Sequence, residues 1–119
     1  MLVIYSTRLL RFLVPWFPGI VGITLFPFII LRKEIRGTAE AIITVNHERI
    51  HIRQQLELLV VFFAVWYIVS FIMGWVRGLA FYDAYRNIIF EREAFDRMYD
   101  LGYLKERKIF AFMKYREKH

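Results

Sequence analysis

The sequence predicts one mainly α-helical, membrane-associated domain. In it, a long helix bearing His47-Glu48-Arg49-Ile50-His51 packs antiparallel to a helix bearing Glu91, after a short N-terminal extended segment. Three observations carry that expectation. The chain has 119 residues, enough for a single domain 1–119 and no more. It is 58% hydrophobic and 18% aromatic, with twelve Phe, seven Tyr and three Trp, so some apolar surface must face lipid or a partner. Residues 58–76 then run for 19 positions without a charge, directly after the histidine motif.

Taken in order, residues 2–14 predict a short amphipathic helix with Arg8 and Arg11 at an interface, ended by Pro15, Pro18 and Gly19. The uncharged run 12–31 is long enough to cross a bilayer, but its three prolines and two glycines disfavour a regular spanning helix. Residues 20–31 are β-branched and aromatic, which predicts an extended segment that Pro27 confines to an edge position. Residues 32–38 form a polar turn. A helix then begins between Ala39 and Val45, carries the histidines, and continues without Gly or Pro into the apolar run.

A straight continuation would carry the chain about 37 Å beyond His51, at 1.5 Å per residue. A reversal near residues 70–74 would instead bring a second helix, about 78–100, back beside the first and set Glu91 opposite the histidines. Asp83, Arg86 and Asn87 make that returning helix too polar to face lipid all round. The segment 103–118 predicts a terminal amphipathic helix with Ile109, Phe110 and Met113 on its apolar side.

The net charge is +6, and the basic residues gather outside the apolar runs, at Arg8 and Arg11, at Arg32, Lys33 and Arg36, and from Lys105 onward. Such flanks predict the lipid bilayer as a partner, with the cytoplasmic face of the cell membrane as the location. With no nucleic-acid-binding motif, the charge does not point to nucleic acid. The absence of cysteine excludes disulfides, thiolate zinc sites and cysteine nucleophiles. No small-residue cleavage site follows the first apolar run, so the N-terminus is expected to stay in the mature chain.

Two imidazoles at i and i+4 project from one helix face, close enough to share a Zn²⁺ at about 2.0 to 2.1 Å per nitrogen. Glu48 lies beside them as a general base. A third protein ligand is needed, and His119 is the terminal residue. Glu91 is the leading carboxylate, because Ala94 lets its helix approach closely. Asn87, one turn earlier, is placed to brace a ligand. Glu93 points about 200° away. Tyr82 and Tyr85 are the available oxyanion donors, and Gln54 and Gln55 read as interfacial hydrogen-bonders. Glu91 could instead be a solvated carboxylate paired with Arg92 or Arg86.

The pairing of His47-Glu48-x-x-His51 with Glu91-x-x-Ala94 is similar to the gluzincin arrangement of membrane-associated zinc peptidases. The runs GITLFPFIIL, HERIHIRQQLE and YRNIIFEREAF resemble small bacterial HExxH proteins over residues 20–96. That resemblance implies a zincin-like domain with His47, His51 and Glu91 as zinc ligands, Glu48 as general base and a peptide or protein substrate. Phe95 departs from it, standing where the larger peptidases carry Asp. Two other classes stay open: an inactive membrane scaffold or partner subunit, and a dimeric di-iron carboxylate protein built on Glu48-x-x-His51.

Overall fold

The computed structural model describes residues 2–116, which form a mainly helical fold with one small sheet. The N-terminal residues are a strand, β1 (Leu2–Tyr5), rather than the start of a helix. Val3, Ile4 and Tyr5 favour extended backbone, and the Ser6 side chain accepts from the Leu9 N–H, so helix α1 (Thr7–Leu13) starts only after it. The expected extended segment is a hairpin of β2 (Gly22–Leu25) and β3 (Phe28–Leu31). Pro27 therefore sits in the connecting turn, where its fixed φ is useful, and not within an edge strand. The sheet order is β1-β3-β2, with β1 parallel and β2 antiparallel to β3. β3 is central and its Ile29, Ile30 and Leu31 are buried, which leaves β2 as an edge beside the next helix.

That helix, α2 (Ala39–Glu57), begins at Thr38, whose side chain accepts from the Ala41 N–H. It does not continue straight into the apolar run. The chain breaks at residues 58 and 59, with Leu59 at φ +56°, and starts a new helix, α3 (Leu59–Val76). No Gly or Pro marks this corner. It forms because α3 must return beside α2 to cover it, so tertiary packing overrides helix propensity. The expected reversal at 70–74 is accordingly absent, and the chain turns at residues 77–80 instead, where Gly78 adopts φ +96°.

The returning segment is two helices, α4 (Phe81–Arg86) and α5 (Ile89–Arg97), separated at Asn87 and Ile88, where Ile88 is extended. After α5 the predicted terminal helix is replaced by a single turn, α6 (Tyr103–Glu106), and a 3-10 turn, Ala111–Tyr115. Ala111, Phe112 and Tyr115 are its buried side, while Ile109, Phe110 and Met113 are exposed. Lys118 and His119 lie outside the described residues.

Helices α2 and α5 run antiparallel. Asn46 in the first half of α2 donates to the carbonyls of Met98 (2.9 Å) and Asp100 (3.1 Å) just past α5, while Gln54 near the end of α2 reaches the Phe90 carbonyl at its start (3.1 Å). One apolar cluster lies under the sheet, around Ile29, Leu31 and Ile52. The other joins Phe63 of α3 to Ile88, Phe90 and Phe112. Full burial of a side chain such as Phe90 or Phe112 stabilises the fold by roughly 1.5–3 kcal/mol.

Candidate metal centre

The helix between these two clusters is filled with polar side chains. Asn46, His47, Glu48, His51, Gln54 and Gln55 of α2 are all buried. A buried polar group needs a partner, and the partners define the site.

His47 and His51 point at one atom. The Nε2 of His47 is 3.2 Å from Glu91 Oε1, and the Nε2 of His51 is 3.0 Å from it. All three residues are buried, and their ligand atoms lie within 4.8 Å of one another. Two ligands on a tetrahedral zinc at about 2.0 to 2.1 Å stand about 3.3 Å apart, so the spacing suits a shared cation.

Gln54 sharpens this. Its Nε2 donates to Phe90 O (3.1 Å) and Glu93 Oε1 (2.9 Å), which turns its Oε1 toward His51 Nδ1 at 2.7 Å as an acceptor. The proton of a neutral His51 is therefore on Nδ1, and the lone pair of Nε2 faces a carboxylate. Two acceptors cannot sit 3.0 Å apart in a buried site without a cation between them, either a proton or a metal ion. With a proton there, burial opposes the charge on His51, but the Glu91 carboxylate more than compensates and lifts its pKa to about 9. Burial likewise opposes the charge on Glu91, and His51 and His47 hold its carboxyl well below the usual range. Two imidazoles and a carboxylate, buried and convergent, are a donor set that fits a divalent metal, with Gln54 holding one imidazole in the required tautomer. The Nδ1 of His47 is buried without a partner among the described residues, and its ring packs edge-on to Phe95 at 4.5 Å.

Glu48 is held from the sheet. The Thr24 hydroxyl donates to Glu48 Oε1 at 2.6 Å. Gln55 fastens β2 in place, donating to the Thr24 carbonyl (3.2 Å) and accepting from the Phe26 N–H (3.1 Å). Glu91 has a further partner in α3, because the Tyr67 hydroxyl donates to its Oε2 at 2.7 Å.

Glu48, His51 and Glu91 open onto a cavity of about 480 Å³ that also includes Tyr67 and Tyr85. Apart from Thr24 and Gln55, the rest of its wall is apolar, running from Phe17 and Ile23 to exposed Trp16, Leu25 and Val60. Burial, then the carboxylates of Glu91 and Glu48, push the Tyr85 pKa up, so its hydroxyl remains a proton donor at neutral pH.

The structure thus brings His47, His51, Glu91, Glu48 and Tyr85 to one place. Asn87 is not among them: its Oδ1 accepts from Arg92 on the opposite side of the segment. Tyr82 is exposed and accepts from Arg86 Nη1 at 3.0 Å. Neither arginine pairs with Glu91. Gln54 and Gln55 are interior residues rather than interfacial ones. Glu93 joins a buried ion network with Arg107, Glu57 and Tyr103, so Arg107 is an internal cation and not a membrane-surface contact. The roles of Thr24, Gln54, Gln55 and Tyr67 carried no sequence signal except polarity at positions that packing turned inward.

Compared with protein-family models, with curated proteins and with solved structures, the chain matches none.

Proposed function

We propose that this chain is a membrane-associated zinc hydrolase acting on peptide bonds of a peptide or protein substrate, with its site toward the cytoplasmic face of the cell membrane. The observation that carries the reading is the convergence of His47, His51 and Glu91 beside Glu48, at the polar end of an otherwise apolar cavity. Bound zinc would polarise the scissile carbonyl and lower the pKa of water. His47 and His51 would hold it through Nε2 and Glu91 through Oε1. Glu48, oriented by Thr24, would accept the water's proton and return it to the leaving amine. Tyr85 would donate to the oxygen on which charge develops.

Membrane association is supported by an inverted distribution of polarity. α3 is the one helix among the described residues long and apolar enough to cross a membrane, and most of it is exposed, whereas α2 buries Asn46, His47, Glu48, His51, Gln54 and Gln55. Water penalises that arrangement and lipid favours it. The di-iron alternative gains no support within one chain, since Glu93 is committed to Arg107 and faces away from the histidines.

Metal analysis of detergent-purified protein tests the ligand set. About one zinc per chain is expected, lost in His47→Ala and Glu91→Ala; paired iron would overturn the reading. Glu48→Gln should keep the metal and lose peptide hydrolysis by at least about 100-fold. Unchanged hydrolysis would remove Glu48 from the reaction and leave a metal-holding scaffold.

A further inference from the structure

The segment that presents Glu91 to the histidines carries a different chemistry on its other side. Arg86, Asn87 and Arg92 face a separate cleft of about 1070 Å³, lined also by Arg77 at the C-terminal end of α3. Among the described residues, none of these three arginines takes part in an ion pair. Of the two carboxylates in the cleft, Asp96 is engaged by the Tyr115 hydroxyl at 2.7 Å and by Arg97, which leaves Asp83 among the arginines that line it, Arg116 included.

The guanidinium groups are held rather than loose. Arg92 is half-buried and donates to two neutral oxygens, the Tyr115 carbonyl at 2.7 Å and Asn87 Oδ1. Burial without a counter-ion lowers its pKa. Arg86 lies over the Phe95 ring at 3.8 Å and donates Nη1 to Tyr82, which fixes the plane of its fork. Arg77 follows the last residue of the apolar helix, the depth at which headgroups meet a membrane-embedded segment.

We propose that this cleft binds a phosphate group, carried by an anionic phospholipid headgroup at the end of α3 or by a soluble phosphate ester. Planar guanidinium forks pair with phosphate oxygens in two-point hydrogen bonds, and several converging arginines select phosphate over a neutral group. The proposal does not need the chain to be a hydrolase.

Isothermal titration calorimetry on the full chain in non-ionic detergent tests it, with short-chain phosphatidylglycerol, short-chain phosphatidylcholine and inorganic phosphate as probes. Phosphatidylglycerol should bind and phosphatidylcholine should bind far more weakly. Arg77→Gln with Arg86→Gln, both at exposed positions, should weaken binding about thirtyfold, from about 1 kcal/mol per basic contact. Arg49→Gln with Lys108→Gln removes the same charge elsewhere on the surface and should leave it unchanged. Tighter binding of phosphatidylglycerol than of phosphate assigns the lipid, and equal binding assigns a soluble ester. Equal weakening in the two double variants, equal binding of phosphatidylcholine, or no binding of either anionic probe overturns the proposal.

Discussion

At the scale of single residues, the chemistry of the centre depends on which nitrogen of His51 carries a proton, and Gln54 sets that. Its amide is anchored by Phe90 O and Glu93, so it offers His51 Nδ1 only an acceptor. Gln54→Leu is expected to lower metal affinity about 10–100-fold, measured by competition with a chromophoric chelator; unaltered affinity would show that the tautomer does not matter. In metal-free protein the His51–Glu91 pair contributes to stability, and its pH window follows from the two shifts. The pKa of His51 is raised, so its contribution is fully present below its ordinary 6.5 and is lost as pH rises through about 9. That of Glu91 is depressed, so its contribution is present above its ordinary 4.5 and is lost well below that value. Thermal melts of chelator-treated protein should therefore fall on the alkaline side as well as in acid. A flat alkaline limb would mean that the pair is not ionised.

At the scale of elements, the corner between α2 and α3 is the least regular feature of the helical body and the one that makes the site. Without it, Tyr67 could not reach Glu91 and α3 would extend away from α2. Leu59 pays for this turn with a left-handed backbone, a conformation that costs a non-glycine residue about 1–2 kcal/mol. Its side chain is exposed, so little packing would be lost on removing it. Leu59→Gly is expected to raise stability by about 1 kcal/mol in denaturant unfolding. A clear loss would show instead that the leucine side chain is needed at the corner. Helix α2 itself was readable at its start, from the polar turn and Thr38 before it, but not at its end at Glu57 or in its environment. Its interior positions are as polar as its exposed ones, so periodicity could not say which face was buried.

At the scale of the whole molecule, the C-terminal segment is tied to the body by Arg107. Its fully buried guanidinium donates to Glu57 at 2.6 Å from Nη1 and to Glu93 at 2.6 Å from Nε. The pair Glu57 and Glu93 belongs to α2 and α5, the two helices that hold the histidines and Glu91. Arg107→Ala would leave the buried Glu93 and the partly buried Glu57 uncompensated and is expected to cost about 3–5 kcal/mol by chemical denaturation, with loosened metal binding as a secondary effect. A loss under about 1 kcal/mol would mean that water replaces the arginine. In the sequence, Arg107 was one of a run of basic residues resembling a membrane-surface patch, because charge patterning reports composition and not which member of a run is turned inward.

What the sequence determined by itself is local and periodic. The spacing of His47 and His51 puts both imidazoles on one face of a helix, and the uncharged run yields an apolar helix of spanning length. Glu91 was also nominated from sequence, although the path that brings it there has corners at residues 58–59 and 77–80 instead of a single reversal near 70. Only the tertiary structure decided that path, and with it the roles of Gln54, Gln55, Thr24, Tyr67 and Arg107. The physical reason is that a helix face is fixed by 3.6 residues per turn, which a sequence displays. The corner at Leu59 and the pairing of buried polar groups are instead fixed by which contacts satisfy distant parts of the chain together, and no local pattern records that.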